Sequence, residues 1–300
     1  MKQTVIKTTN LTKKFGNQYA LNNINLEIKK GEIYGLIGRN GAGKTTFIRM
    51  LTSLFKPTSG TIRLFGQPLS VSNLERTASI IETPVAYDGL SAYDNLKYYC
   101  IEQGISDYNI INEVLGFVNL TDTGNKKFKD FSLGMRQRLG IAIAILGNPD
   151  FLILDEPING LDPIAIIEFR ELILKLNREY NMTILISSHI LTELYHVATR
   201  FGIINNGKLI AEISKEEFDL QCQEAVSFKV ANPDQALVVL TEKFTYDVKV
   251  VNDNEVRIFG VDEEKAADLN IVLIQSGIRV EHMEIIKADL EEYFTKMIAE

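Results

Sequence analysis

The sequence predicts an α/β protein built on a largely parallel sheet, followed by a smaller α+β module of ferredoxin-like order. Three observations carry this. Apolar runs of strand length, E-I-Y-G-L-I-G (32–38), F-L-I-L-D-E (151–156) and M-T-I-L-I-S-S-H (182–189), alternate with segments of helical spacing. That is the pattern of strands buried on both faces of a parallel sheet. The first run enters a glycine-rich loop that opens a helix. Beyond about residue 212 the alternation gives way to shorter, more polar strand- and helix-like segments.

Taken in order, T-V-I-K-T-T (4–9) and A-L-N-N-I-N-L-E-I (20–28) alternate apolar and polar residues, as half-buried strands do. The run at 32–38 reads as a buried strand entering a turn. Residues 44–55 place apolar side chains at 47, 48, 51, 54 and 55, a helical spacing that K-P-T-S-G (56–60) ends. From about 85 to 148 the pattern is mostly helical, with Tyr87, Tyr93, Tyr98 and Tyr99 early in it. The strand at 151–156 precedes a helix at about 163–178, and the strand at 182–189 precedes a helix that starts near 190. F-G-I-I-N-N-G-K-L-I (201–210) reads as a hairpin turning at Asn-Gly. K-E-E-F-D-L-Q-C-Q-E (215–224) is a polar connector. Then come strand (226–230), helix (233–243), strand (246–251), strand (255–260), helix (263–277), strand (279–285) and a closing helix (288–298), a β-α-β-β-α-β order. The expected organisation is a first domain at 1–212 with a helical subdomain at about 85–148, a linker at 213–224 and a second domain at 225–300.

At 300 residues, 45% hydrophobic and 24% charged, the chain has the composition of a globular protein with room for two domains. A formal net charge of −7 argues against a broad nucleic-acid footprint, which needs a basic face. Cys100 and Cys222 sit in unrelated contexts and read as reduced thiols. The start, MKQTVIKTTNLTKKFG, holds no apolar core of a secretory leader. L-G-I-A-I-A-I-L (139–146) is only about a third of a bilayer-spanning helix. The expectation is a cytoplasmic protein that docks on a spanning partner if it works at a membrane.

The sharpest motif is G-R-N-G-A-G-K-T-T, from Gly38 through Asn40, Gly41, Ala42, Gly43, Lys44 and Thr45 to Thr46. It fits the phosphate-binding P-loop, with a strand before it and a helix after it. Glycines let the loop turn backbone N–H groups inward around phosphate oxygens, and the helix adds its positive end. Lys44 is placed for the β- and γ-phosphates and the Thr45 hydroxyl for Mg²⁺. ATP and Mg²⁺ are the implied cofactors. Asp155, Glu156 and His189 each follow an apolar strand. If the strands are parallel, all three share one sheet edge with the P-loop, where such sheets bind ligands. Asp155 then holds Mg²⁺ through water, Glu156 acts as general base on the attacking water, and His189 reads the γ-phosphate. In F-S-L-G-M-R-Q-R-L-G-I-A-I-A-I-L (131–146), Ser132 is a good N-cap, and with Gly134 it opens a second anion site. One chain offers no anion for it; a partner chain would.

These motifs, in this order, resemble the ATP-binding subunits of ABC transporters over about residues 3–212. The P-loop is Gly38–Thr46, the signature Phe131–Met135, the Walker B strand Phe151–Glu156, the D-loop Asn159–Asp162 and the switch histidine His189. The resemblance implies a P-loop NTPase of the ABC ATPase type. It implies two subunits stacked head to tail, each ATP held between the P-loop of one and Ser132 and Gly134 of the other, with Asp162 at that seam. It implies membrane-spanning permease subunits on other chains and a peripheral place on the inner face of the membrane. Phe15, in K-K-F-G, matches the aromatic that stacks on adenine, with Tyr19 as the fallback.

Two departures stand out. The signature reads Phe-Ser-Leu-Gly-Met, not Leu-Ser-Gly-Gly-Gln, so it keeps the phosphate-facing residues and changes their neighbours. Where most members carry the Q-loop glutamine, this chain has Glu82, in I-I-E-T-P-V-A-Y-D-G-L-S-A-Y-D-N-L. That is similar to the E-loop of lantibiotic self-immunity subunits and their bacitracin-resistance relatives. It makes Glu82 a metal-facing and catalytic candidate, since Mg²⁺ prefers hard anionic oxygen. The resemblance therefore implies export of a peptide antibiotic. The tyrosines after Glu82 suit either a groove for the membrane partner or packing of the helical subdomain. The competing functional reading is an ABC-type ATPase acting on nucleic acid or ribosomes. A single P-loop, no sustained heptads and an acidic balance weigh against it. The second domain shows no ligand motif and fits a dimer-supporting or regulatory role as readily as an inert appendage.

Overall fold

The computed structural model describes residues 3–221, 225–261 and 263–286. The chain divides into two compact units between Lys215 and Glu216. The first opens with β1 (Thr4–Phe15) and β2 (Gln18–Lys29), a long antiparallel pair whose buried residues alternate with exposed ones. β3 (Ile33–Ile37), buried at every position, leads through the glycine loop into α1 (Lys44–Leu51). Next come β4 (Ser59–Leu64), β5 (Gln67–Pro68), the single turn α2 (Val71–Leu74) and β6 (Thr77–Ile81). The helical section holds α3 (Ala92–Glu102), α4 (Asn109–Phe117) and α5 (Leu133–Ile145). It is followed by β7 (Phe151–Asp155), α6 (Pro163–Tyr180), β8 (Thr183–Ser188), α7 (Leu191–Tyr195), β9 (Arg200–Asn205) and β10 (Lys208–Ser214).

Two sheets result. One is antiparallel, in the order β2-β1-β4-β5. The other runs β10-β9-β3-β8-β7-β6 and is parallel except for its edge strand β10. The expected parallel sheet is therefore present. β3, β7 and β8 are buried throughout, as strands covered on both faces must be. A core of Leu21, Ile24 and Ile28 from the antiparallel sheet, Phe47 and Leu51 from α1, and Phe151 from β7 joins the two sheets. Burying each such side chain contributes about 1.5–3 kcal/mol.

Some elements went unseen in the sequence. β6 buries only Ile80, because it is the sheet's edge, and β4 buries only Ile62 and Leu64. Neither carries enough apolar pattern to register. The helix expected over 44–55 stops at Leu51: Ser53 takes a left-handed φ of 61° and the Phe55 amide bonds back to the Arg49 carbonyl at 2.8 Å. The polar connector carries a helix, α8 (Lys215–Gln221). The Asn206-Gly207 turn has positive φ at both residues, 46° and 73°, which suits the right-handed twist of the hairpin.

The second unit contains β11 (Ala225–Val230), α9 (Pro233–Lys243), β12 (Asp247–Asn252), β13 (Glu255–Phe259), α10 (Glu263–Gln275) and β14 (Val280–Ile286). The sheet order β12-β13-β11-β14, antiparallel throughout, is that of the ferredoxin-like fold. Val226, Phe228, Val256 and Ile258 from the sheet pack with Leu240, Leu269 and Leu273 from the helices, so this unit has its own core. The closing helix expected at 288–298 lies outside the described residues, as does Cys222. Cys100 is buried, and burial pushes its thiol up, which keeps it protonated and inert.

Candidate functional site

The site is a consequence of strand register. β3, β8 and β7 run parallel with Ile37 beside Ser188 and Ser187 beside Asp155, so their C-terminal ends are level. The P-loop leaves β3, Glu156 leaves β7 and His189 leaves β8 on that edge. The geometry of the loop demands glycine. A Cβ on Gly38 would stand 2.4 Å from the Ile204 carbonyl oxygen, and one on Gly43 2.7 Å from that of Ala20. Gly43 is also the N-cap of α1, with φ 113°, and carries no side chain to cap it. The first amides of the helix are left to bind an anion.

Lys44 is buried and fully engaged. Its Nζ donates to the carbonyls of Gly38 (2.6 Å) and Arg39 (3.2 Å) and lies 3.0 Å from Glu156 Oε1. The other oxygen, Oε2, lies 2.7 Å from His189 Nδ1. A carboxylate only accepts, so Nδ1–H is the donor. Glu156 takes a left-handed φ of 50°, and its amide donates to Ser187 Oγ at 3.0 Å. Ser187 Oγ in turn donates to Asp155 Oδ1 at 2.6 Å. The predicted trio of Lys44, Glu156 and His189 thus makes one chain of charge-assisted contacts, with Asp155 tied in behind it.

A cavity of about 540 Å³ opens in front of this group, within the range of about 300–1,000 Å³ usual for small-molecule sites. Phe15, Asn40, Gly41, Gly43, Lys44, Thr45, Thr46 and Glu156 line it, as does Tyr19. Gly38 and Ala42 are buried and back the loop. Sequence reasoning missed Gln18, Ala20, Asn206 and Gly207, which also line the cavity. The Asn-Gly dipeptide announced a turn, but only the fold brings that turn to the cavity wall. Its contacts are the Gly207 amide donating to the Ala42 carbonyl at 2.9 Å and the Asn22 amide donating to the Gly207 carbonyl at 2.7 Å.

Among the described residues no three His, Cys, Asp or Glu side chains gather as a metal cage. Mg²⁺ beside a nucleotide needs none, being held by one or two protein oxygens, phosphates and water. The Thr45 hydroxyl and the Asp155 carboxylate fit that donor set. Asp155 is 1% exposed, and its Oδ1 already accepts from Ser187 Oγ.

Glu82 lies one residue past β6, with a left-handed φ of 65°. Its carboxylate is not in the cavity wall; it pairs with Arg49 of α1 at 2.6 Å. Ser132 caps α5, its Oγ accepting from the Met135 amide at 3.3 Å. Asp162 caps α6, its Oδ1 accepting from the Ala165 amide at 2.9 Å. Both are exposed, and neither they nor Gly134 line the cavity of their own chain. A separate groove of about 310 Å³ follows Glu82, walled by Pro84, Val85, Tyr99, Gly140 and Ile143 among others. Tyr99 donates its hydroxyl to the Val85 carbonyl at 2.9 Å. Tyr87 and Tyr98 stack edge-on at 4.5 Å on the surface, where the hydrogen bond between them pushes the Tyr87 phenol up to about 12. Of these tyrosines, only Tyr99 is in the groove wall.

Comparison with known proteins agrees with this geometry. A family model described as ABC transporter matches residues 21–159. The bacitracin transport ATP-binding protein BcrA of Bacillus licheniformis is 43% identical over 299 residues, 98% of this chain and 97% of that protein. The lantibiotic transport ATP-binding protein SrtF of Streptococcus pyogenes is 48% identical over 215 residues, 72% of this chain and 92% of that protein. Among solved structures, a dimeric ATP-binding cassette in a post-hydrolysis state, bound to ADP and Pi, aligns with a TM-score of 0.62 at 27% identity. The alignment covers 70% of this chain and 98% of that one.

Proposed function

This chain belongs to the ABC transporter ATP-binding proteins, and on that premise we propose that it drives permease subunits carried on other chains and exports a peptide antibiotic. It is an ATPase of the transport-coupled kind. Among the described residues no helix is long and apolar enough to cross a membrane, which suits a peripheral subunit on the inner face. The match to BcrA takes in nearly the whole chain, including the second unit, and this favours a bacitracin-type cargo over a lantibiotic. Relatives named as transport proteins also favour this reading over an ATPase acting on nucleic acid or ribosomes.

One observation carries the mechanism: Lys44 and His189 hold the two oxygens of Glu156. An arriving γ-phosphate competes with Glu156 for Lys44. When Lys44 turns to the phosphates, Oε1 of Glu156 is released to accept a proton from the attacking water, while His189 keeps Oε2 oriented. Asn40, Gly41, Ala42, Gly43 and Thr46 supply loop backbone to the phosphates, with Gly38 setting the turn, and Phe15 stacks on the base. Thr45, Asp155 and Glu82 would hold Mg²⁺, which when bound would supply positive charge to the nucleotide's phosphates. Ser132, Gly134 and Asp162 serve the nucleotide of a second copy. The groove beside Tyr99 receives the permease.

Glu156→Gln is expected to lower kcat for ATP by about 100- to 1000-fold while ATP binds at least as tightly, since the amide no longer competes for Lys44. An unchanged steady-state ATPase would remove Glu156 from the role of base. For the cargo, the test is growth in bacitracin and in a lantibiotic with and without the chain and the permease it co-purifies with. Equal sensitivity to both compounds in the two strains would sink the cargo assignment.

A further inference from the structure

Two glutamates stand at matching places on adjacent strands. β6 and β7 pair in parallel with Ile81 beside Asp155, so Glu82 and Glu156 are each the first residue past a strand end. Both take a left-handed backbone, φ 65° and 50°, which residues with side chains rarely adopt. Each carboxylate is met by a cation from the same helix. Lys44, the first residue of α1, meets Glu156 at 3.0 Å, and Arg49, in its last turn, meets Glu82 at 2.6 Å. The two pairs differ in burial. The Lys44 side chain is 5% exposed, whereas Arg49 is 33% and Glu82 64% exposed. The second pair is therefore the weak, reversible one. The Arg49 guanidinium also lies 5.6 Å from the centre of the Phe55 ring, which steadies it against the turn that ends α1.

We propose that Arg49 is a positioning residue for the ATPase: it competes with Mg²⁺ for the Glu82 carboxylate, and so sets how strongly the ion tightens nucleotide binding. The inference rests on the reading of Glu82 as metal-facing. A glutamate at this place adds a negative charge one strand away from Glu156, and the Arg49 pair neutralises it until the ion arrives. A glutamine there would need no such counter-ion. Binding linkage makes the competition reciprocal: whatever loosens the pair favours the ion, and the ion loosens the pair.

The test is equilibrium binding of a fluorescent, non-hydrolysable ATP analogue with Mg²⁺ and with EDTA, read as the ratio of the two affinities. Arg49→Met keeps an apolar stem over Phe55 and removes the charge; it is expected to raise the ratio about two- to fivefold, the range of an exposed ion pair. Arg49→Lys is expected to stay near wild type, which separates charge from fold. Glu82→Gln is expected to lower the ratio, and Arg49→Met added to Glu82→Gln to change it no further. The same rise in the Glu82→Gln background would mean a long-range charge effect and overturn the proposal. No rise with Arg49→Met, while Glu82→Gln still lowers the ratio, overturns the role of Arg49 alone. A Glu82→Gln ratio equal to wild type overturns the metal-facing reading of Glu82 and the inference with it.

Discussion

Phe15 and Tyr19 compete for one task. They line the same cavity, are 49% and 52% exposed, and each has a lysine ammonium 5.0 Å from its ring centre, Lys13 and Lys14. What separates them is bracing. Phe15 meets Phe55 edge-on at 5.7 Å, so its face is held ready for a base. Base–aromatic stacking is worth about 1–3 kcal/mol, so Phe15→Ala is expected to weaken ATP binding roughly 5- to 150-fold. Tyr19→Ala should cost less than about twofold on the same scale. Titration with a fluorescent ATP analogue decides the order, and the reverse ranking moves the stacking role to Tyr19. At this scale the sequence was most legible where function dictates residue type along a short stretch, as from Gly38 to Thr46. It was silent on Arg49, whose partner Glu82 lies 33 residues away. A contact of that kind exists only once the strands are laid side by side.

On the function proposed above, α5 is the element that joins the signature to the groove beside Tyr99. It begins at Ser132, in the signature, and its Gly140 lies against the loop after Glu82: a Cβ there would meet the Pro84 ring at 2.6 Å. Two effects oppose each other in Gly140→Ala. Helix propensity favours alanine by about 1 kcal/mol, while forcing a methyl into a rigid proline costs about 1–3 kcal/mol. The clash is expected to win. Gly140→Ala should lower the Tm by several degrees, leave ATP affinity within a factor of two, and weaken stimulation of the ATPase by the permease. A Tm at or above wild type would show that the loop yields freely and does not couple to α5. The helix itself was readable from Ser132 onward. Its seat against Pro84 was not, because glycine inside a helical pattern looks like a local weakness until its neighbour is known.

For the whole molecule, the exposed Ser132 and Asp162 caps stand outside the cavity of their own chain, and on the function proposed above they meet the nucleotide of a second copy. Ser132→Arg, made in a Glu156→Gln background that traps ATP, is expected to bind one ATP per chain yet elute as a monomer. Without the Ser132 change the same background should elute as a dimer with Mg·ATP. If both forms dimerise equally, the signature does not hold the partner's nucleotide. The second unit closes around a core of its own.

Reading the residues alone is enough for the parallel sheet, the order of the motifs, the candidates Lys44, Asp155, Glu156 and His189, and the β-α-β-β-α-β order of the second unit. These are written in local pattern: apolar runs long enough to be strands, glycines where backbone must bend, and polar residues set at strand ends. Tertiary structure alone decided which strand ends are level, that Lys44 rests on Glu156, that Arg49 holds Glu82, and that the Asn206-Gly207 turn walls the cavity. The physical reason is range. Hydrophobic periodicity and turn chemistry act over a few neighbouring residues. An ion pair or a cavity wall, by contrast, depends on the register between strands far apart in the chain, which is set only when the core between the two sheets closes.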